Sequence, residues 1–254
     1  MGLFGKKKTC SICGGEIGLL GNRKLDDGNM CKKCAAKLSP FFTDRRRSTV
    51  ADIQKQLAYR EANLEEVKEF HTTLSFGERT KILIDEDKKK FMVTSARNLV
   101  EANPDVIDFS QVTGVDIDID EDTVEEMRTD KEGNEVSYNP PQYKWYYDFN
   151  VVIRVNNPYF DEIRFQLNDD SVDVNNGMYF PKNMHPDFTI NLQFQQYKSM
   201  CDDIKTTLTN ARNEVREAAA AASAPRHPVV CKCCGATTTP DLNGICEFCG
   251  GCAE

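Results

Sequence analysis

Two sets of four cysteines constrain this chain more than any other feature of its sequence. The first is Cys10-x2-Cys13-x17-Cys31-x2-Cys34 and the second Cys231-x2-Cys234-x11-Cys246-x2-Cys249. A Cys-x-x-Cys turn offers two thiolates on one side. Two such turns close a tetrahedron around Zn2+ at Zn–S distances of about 2.3 Å and leave no position open for water or substrate. Gly14, Gly235 and Gly250 directly follow the second cysteine of their pairs. A residue without a Cβ there lets the backbone turn tightly and aim its N–H groups at the sulfurs. A redox dithiol would be expected in a thioredoxin-like βαβ setting, which the sequence does not offer. The reading is two structural zinc ions, one on Cys10, Cys13, Cys31 and Cys34, the other on Cys231, Cys234, Cys246 and Cys249. Zinc is preferred to iron because nothing nearby suggests redox chemistry. Three cysteines fall outside the sets. Cys201 lies on an apolar helical stripe and reads as core. Cys233 and Cys252 border the second set; Cys233 reads as a bystander, and an exchange of either for a ligand stays open at this level.

The same residues point to a compartment. With no export signal the eleven cysteines are expected to meet a reducing, cytoplasmic compartment, where the paired Cys-x-x-Cys units read as metal ligands rather than disulfides. The start, Met1 to Lys8, has three lysines but no apolar run after them, so it is not a secretory signal. Lys6 stands where myristoylation needs Ser or Thr. No segment approaches the roughly 18 apolar residues of a membrane span. Charge is unevenly spread: residues 1–47 hold eleven Lys/Arg against four Asp/Glu, a net +7, while the whole chain is −8 and the remainder therefore −15. A basic end and an acidic body can serve different partners or touch each other.

Five regions follow: an N-terminal zinc module (1–45), a helical connector (46–72), a β-rich body (73–213), an Ala/Pro tether (214–228) and a C-terminal zinc ribbon (229–254). In the connector Thr49 and Asp52 make an N-cap pair. Val50, Ile53, Leu57, Leu64, Val67 and Phe70 fall mostly at helical steps, with a break near Asn63. In the body, Lys81–Ile84 and Phe91–Thr94 flank a charged turn and predict a hairpin. Val112, Val115, Ile117 and Ile119 predict a third strand. The polar segment Thr123–Pro141, ending Asn-Pro-Pro, is expected to be a long exposed loop. Tyr143–Val155 and Glu162–Leu167 predict two more strands around Asn156-Asn157-Pro158. Ile190, Phe194, Tyr197, Cys201, Ile204, Leu208 and Ala211 form one apolar stripe on a final helix over 190–213. The end modules are too small to fold without metal, whereas a body of this size can.

The first module carries a resemblance. Cys10-Ser11-Ile12-Cys13-Gly14-Gly15, followed by Lys24-Leu25-Asp26-Asp27-Gly28-Asn29-Met30-Cys31-Lys32-Lys33-Cys34, resembles the N-terminal domain of an uncharacterised family of bacterial double-zinc proteins, mostly from Firmicutes. It is also similar to the zinc module of Clp-family unfoldases, where the second pair opens a short helix, as in a treble clef. The last 25 residues resemble a generic zinc ribbon, and by element order the middle resembles a pleckstrin-homology-like (PH-like) domain. The implied class is α+β: a treble-clef-like four-cysteine zinc module, a helical connector, an antiparallel PH-like body closed by a C-terminal helix, and a zinc ribbon.

Catalytic chemistry is not in view. His71, His185 and His227 belong to no His-x-x-x-His or nucleophile–base pattern. The run Asp116 to Asp122 has Glu121 where an EF-hand loop needs glycine, so it reads as a strand with one solvated acidic face. There is no glycine-rich phosphate loop and no Gly-x-Ser-x-Gly elbow. Tyr143, Trp145, Tyr146, Tyr147 and Phe149 read as packing residues rather than a base-stacking platform. No catalytic or cofactor-binding residue is assigned and no enzyme is expected. The leading reading is a zinc-binding adaptor or scaffold for protein partners. The alternatives are nucleic-acid binding through residues 1–47, with Lys6–Lys8, Lys32, Lys33 and Arg45–Arg47 on phosphates, and weak membrane association through Leu3, Phe4 and the adjacent lysines.

Overall fold

A computed structural model describes residues 8–223, 227–241 and 244–253. It divides the chain into two compact units that meet in sequence at Thr209 and Asn210. The first unit opens with two short antiparallel hairpins. Strand β1 (Lys8–Thr9) pairs with β2 (Glu16–Ile17), and β3 (Arg23–Lys24) with β4 (Asn29–Met30). A single-turn helix, α1 (Lys32–Ala35), follows. After a 3-10 turn at Asp44–Arg47 comes α2 (Val50–Glu69). Its N-terminus is a complete capping box: the Thr49 hydroxyl accepts from the Asp52 N–H, and the Asp52 carboxylate accepts from the Thr49 N–H.

Helix α2 runs without a break at Asn63, and its buried face differs from the expected apolar stripe. Ile53, Gln56, Arg60, Asn63 and Val67 are buried at helical steps, while Leu57 and Leu64 are only half-buried. Arg60 and Asn63 fit there because residues 103–106 and the Lys37 carbonyl supply their partners, whereas the buried Gln56 amide makes no hydrogen bond among the described residues. Arg60 donates to the Asp105 carboxylate (2.6 Å) and to the carbonyls of Lys37 and Asn103. The Asn63 amide donates to Asn103 Oδ1 and the Pro104 carbonyl (2.7 Å each), and its oxygen accepts from the Val106 N–H (2.8 Å). Asn63 thus spends its polar atoms on a neighbouring loop and does not interrupt its own helix. At the other end Ile53 belongs to the zinc module's core, with Cys10, Ile17, Leu25, Met30, Cys34 and Leu38. Gly28 in the β3–β4 turn lies so close that a Cβ would stand 2.8 Å from Val50 Cγ2 and 2.7 Å from Ser11 Oγ. The connector is therefore a strut packed at its N-terminal end into the zinc module and hydrogen-bonded mid-helix to the body.

The body holds two antiparallel sheets. In the first, β5 (Leu74–Phe76), β6 (Lys81–Asp85), β7 (Lys90–Thr94) and, after the short helix α3 (Leu99–Ala102), β8 (Ile107–Asp108) lie in sequential order. The predicted hairpin is β6–β7, with Lys81 opposite Thr94 and Asp85 opposite Lys90. The second sheet is built on β10 (Glu135–Val155). One edge of β10 pairs with β9 (Val112–Thr129). The other pairs with β11 (Glu162–Gln166) and, further toward its start, with β12 (Val172–Asp173).

The expected loop at 123–141 is instead the outer part of this β9–β10 ribbon, closed by a turn at 130–134. Residues 135–137 and 142 of β10 pair only with β9, residues 138–141 have no partner in the register, and none of 135–142 is buried, so no fully buried face announces the strand. Backbone pairing alone extends the ribbon, with a register irregularity between Ser137 and Gln142 beside the prolines.

Helix α4 (Leu192–Ser223) closes the sheet. Phe194, Tyr197, Cys201, Ile204 and Leu208 are buried as the stripe predicts, whereas Ile190 lies ahead of the helix and is exposed. Asn191 begins it, accepting from the Phe194 N–H and donating to the Asp173 carbonyl. The helix runs ten residues past its expected end at 213, because alanine sustains helix after the apolar stripe stops. Much of the expected tether is therefore helical, and residues 224–226 lie outside the described residues. No helix among the described residues is long and apolar enough to cross a membrane. In the second unit, β13 (Val229–Val230) pairs with β14 (Thr237–Thr238), and Cys231, Cys246 and Ala253 form a small core with Val229.

Candidate metal centres

The structure brings Cys10, Cys13, Cys31 and Cys34 together, and likewise Cys231, Cys234, Cys246 and Cys249; within each set all sulfurs lie within 4.8 Å of one another. Four thiolates about 2.3 Å from one Zn2+ form a tetrahedron with edges of about 3.8 Å. The Cys13–Cys31 and Cys234–Cys246 Sγ pairs are 3.8 Å apart and Cys231–Cys249 is 3.7 Å. A disulfide would need about 2.05 Å, and no cysteine pair in either cage forms one. The cages have the size and donor set of a closed four-thiolate metal centre. The geometry fits zinc and does not name the metal.

Three of the four Cys-x-x-Cys pairs use one backbone device. Gly14 N–H donates to the Cys10 carbonyl and Cys10 N–H to the Gly15 carbonyl (2.8 Å each). Cys231 with Gly235 and Ala236, and Cys246 with Gly250 and Gly251, repeat the pattern. Gly14 sits at φ +71°, with no atom within 4 Å of a would-be Cβ, so backbone conformation rather than space demands the glycine. The fourth pair differs. Cys31 is the N-cap of α1, and its sulfur accepts from the Cys34 N–H at 3.4 Å. The first centre thus joins a turn to a helix N-terminus, as in a treble clef, and the second joins two turns, as in a ribbon.

Backbone N–H groups also bias the thiols. At Cys10 burial opposes ionisation, yet hydrogen bonds from the backbone of Cys13, Cys31 and Ile12 outweigh it and lower the thiol to about 6. Cys34 is pushed up by burial and by its three neighbouring cysteines. In the second centre the backbone N–H of Cys234 leads in lowering Cys231 to about 6, while Cys249 rises to about 12 beside its neighbouring thiols despite the Gly251 N–H. Cys10 favours and Cys34 resists ionisation in the first cage, while in the second Cys231 and Cys246 favour it and Cys234 and Cys249 resist it, a mixture that suits a site a cation completes by displacing the remaining protons.

The other candidates fall where packing puts them. Cys233 and Cys252 are exposed and outside the cage, Cys233 Sγ lying 3.6 Å from the Cys252 carbonyl. Trp145, Tyr147 and Phe149 are buried, and the latter two pack on Phe194 at ring separations of 5.1 Å. His185 lies against Trp145, His71 donates its backbone N–H to Asp85, and His227 is exposed. Asp116, Asp118 and Asp120 share a solvated face, as expected, and are countered by Arg154 and Arg164. The stub carrying Leu3, Phe4 and Lys6–Lys7 lies outside the described residues. The structure also gathers cations that sequence reasoning kept apart: Arg23 and Lys24 of β3 line one concavity with Arg45 and Arg46, some 20 residues on.

Residues 8–56 match the model of a domain of unknown function, DUF4428. The match covers about a fifth of the chain and ends inside α2, just past Ile53, the helix residue buried in the zinc module's core. No curated protein and no solved structure matches the chain. An uncharacterised domain at one end and a four-cysteine cage at each end fit an uncharacterised double-zinc protein.

Proposed function

We propose that this chain is a non-enzymatic adaptor of a bacterial, mostly Firmicute, double-zinc family, working in the cytoplasm with structural zinc and a PH-like body. Two antiparallel sheets followed by a long helix support the PH-like reading. Free thiols throughout suit a reducing compartment. The observation that carries the adaptor reading is strand β9. It is 18 residues long and pairs with β10 on one edge, with no strand on its other edge among the described residues. Such an edge is a template for an added strand. Asp116, Asp118, Asp120 and Asp122 flank it on one face and Glu121 and Glu125 on the other. Arg154 and Arg164 offset part of this charge, and the acidic excess that remains repels a second copy of the same edge and selects a basic, extended segment of a partner protein.

Paired affinity capture from the native cell, with the wild-type chain and an Asp118→Lys/Asp120→Lys variant as baits, tests this reading. A partner held by the wild type and lost with the variant, whose binding slows amide exchange along β9, is expected. A partner captured equally by both baits would refute the β9 docking site.

A further inference from the structure

We propose that the N-terminal module carries a second site, separate from its cysteines: a pocket for a compact phosphate-class anion, formed by Arg23, Lys24, Arg45 and Arg46. The four side chains line one concavity of about 600 Å³. Two come from β3 and two from the 3-10 turn Asp44–Arg47, and the fold holds these segments together. The Asp26 N–H donates to the Ser48 carbonyl (3.0 Å), and Asp27 accepts from the Val50 N–H (2.7 Å). The site is therefore carried on the rigid edge of the zinc module.

The charges in this concavity are not spent within the protein. Among the described residues none of the four cations forms an ion pair. Arg23 donates to the carbonyl of Asn22 (3.3 Å) and Arg45 to that of Lys24 (2.6 Å). Neighbouring Arg47, in contrast, lies 3.7 Å from Asp44 and does not line the pocket. Burial, then the guanidinium groups of Arg46 and Arg23, disfavour the charge on Arg45. An anion entering the concavity removes that repulsion. Guanidinium forks match phosphate oxygens in pairs, and three of the four cations are arginines.

Shape decides the ligand class. A nucleic-acid backbone calls for cations spread along a track. Here they converge on one hollow, and Lys32 and Lys33 are not part of its lining. A free phosphate or a small phosphomonoester matches that convergence, and Asp26 at the wall offers an acceptor to a hydroxyl on the ester. This site does not depend on the β9 edge, so the two proposals stand or fall separately.

The test is calorimetric titration of the full-length, zinc-loaded chain with inorganic phosphate and with glycerol phosphate, and of a short DNA duplex in parallel. It is repeated for Arg46→Gln, for Arg23→Gln/Arg45→Gln and for Arg47→Gln, with zinc content as the check on folding. Expected are saturable binding of a small phosphate ligand, weakening of roughly tenfold or more in the first two variants, and no change in Arg47→Gln. Arg46 is exposed and makes no hydrogen bond or ion pair among the described residues, so its variant stays informative if the double variant misfolds. Vesicles bearing a phosphoinositide form a further arm, in which binding lost with Arg46→Gln would identify a lipid headgroup as the source of the phosphate. Absence of saturable binding to every phosphate ligand, equal affinity in Arg46→Gln, or binding of the duplex alone would overturn the proposal.

Discussion

Each cysteine's role follows from its immediate surroundings. Eight gather in the two cages, six at tight turns and Cys31 and Cys34 at the start of α1; Cys201 sits among apolar side chains on α4, and burial pushes its thiol up to about 12. A folded-state value above the unfolded one of roughly 8.5 means that the fold prefers the protonated thiol. That contribution is complete below about pH 8.5 and is lost as pH rises toward 12. Denaturant melts from pH 8 to 10.5 should therefore show stability falling more steeply in the wild type than in Cys201→Ala, with a difference of up to about 1.4 kcal/mol per pH unit. Iodoacetamide should leave Cys201 unmodified in the native chain. Equal slopes in the two proteins would remove the thiol from the account. Gly14 is as local in its logic: the turn needs a positive φ, which was legible from the Cys-x-x-Cys-Gly pattern alone. Arg45 and Arg46 were legible as candidates for phosphate contacts, but their grouping with Arg23 and Lys24 was not, because only the fold brings residue 23 beside residue 45.

Elements were readable where one face meets the core and one meets water. The Thr49–Asp52 cap, the β6–β7 hairpin and the buried stripe of α4 each follow from side-chain period or turn chemistry. The outer ribbon escaped because both of its faces are solvated, so composition resembled a loop. Helix α2 escaped in part because its interior face is polar, and the partners that Arg60 and Asn63 find there lie some 40 residues away in sequence. That face makes a testable claim. Arg60 and Asp105 form a buried pair whose exposed side-chain fractions are 7% and 0%, braced by the Ser39 hydroxyl at 2.7 Å. Burial raises the Asp105 carboxyl despite Arg60, so the pair is costly to form. Breaking it is costlier still. Arg60→Met should destabilise by about 3–5 kcal/mol, and Arg60→Met with Asp105→Leu by clearly less, in equilibrium unfolding. Additive losses would show that the two groups do not act as a pair.

At the scale of the molecule, the two metal cages differ in what builds their cores. Among the described residues the second has a core of Cys231, Cys246 and Ala253 with Val229 against them. The first shares its core with α2, and Ser39, just beyond α1, reaches Asp105 in the body. The N-terminal module's core therefore extends past residue 45 to Ile53 of α2. Removing its metal should loosen α2 and, through Arg60 and Asp105, the loop that leads into β8. Both cages have the donor set and size to hold zinc. The most direct test is elemental analysis of the reductant-protected, full-length chain beside single cysteine variants. The account predicts two zinc ions in the wild type and in Cys233→Ser, and one each in Cys13→Ser and Cys249→Ser. Fewer than two in the wild type, or two retained in Cys13→Ser or Cys249→Ser, would contradict it.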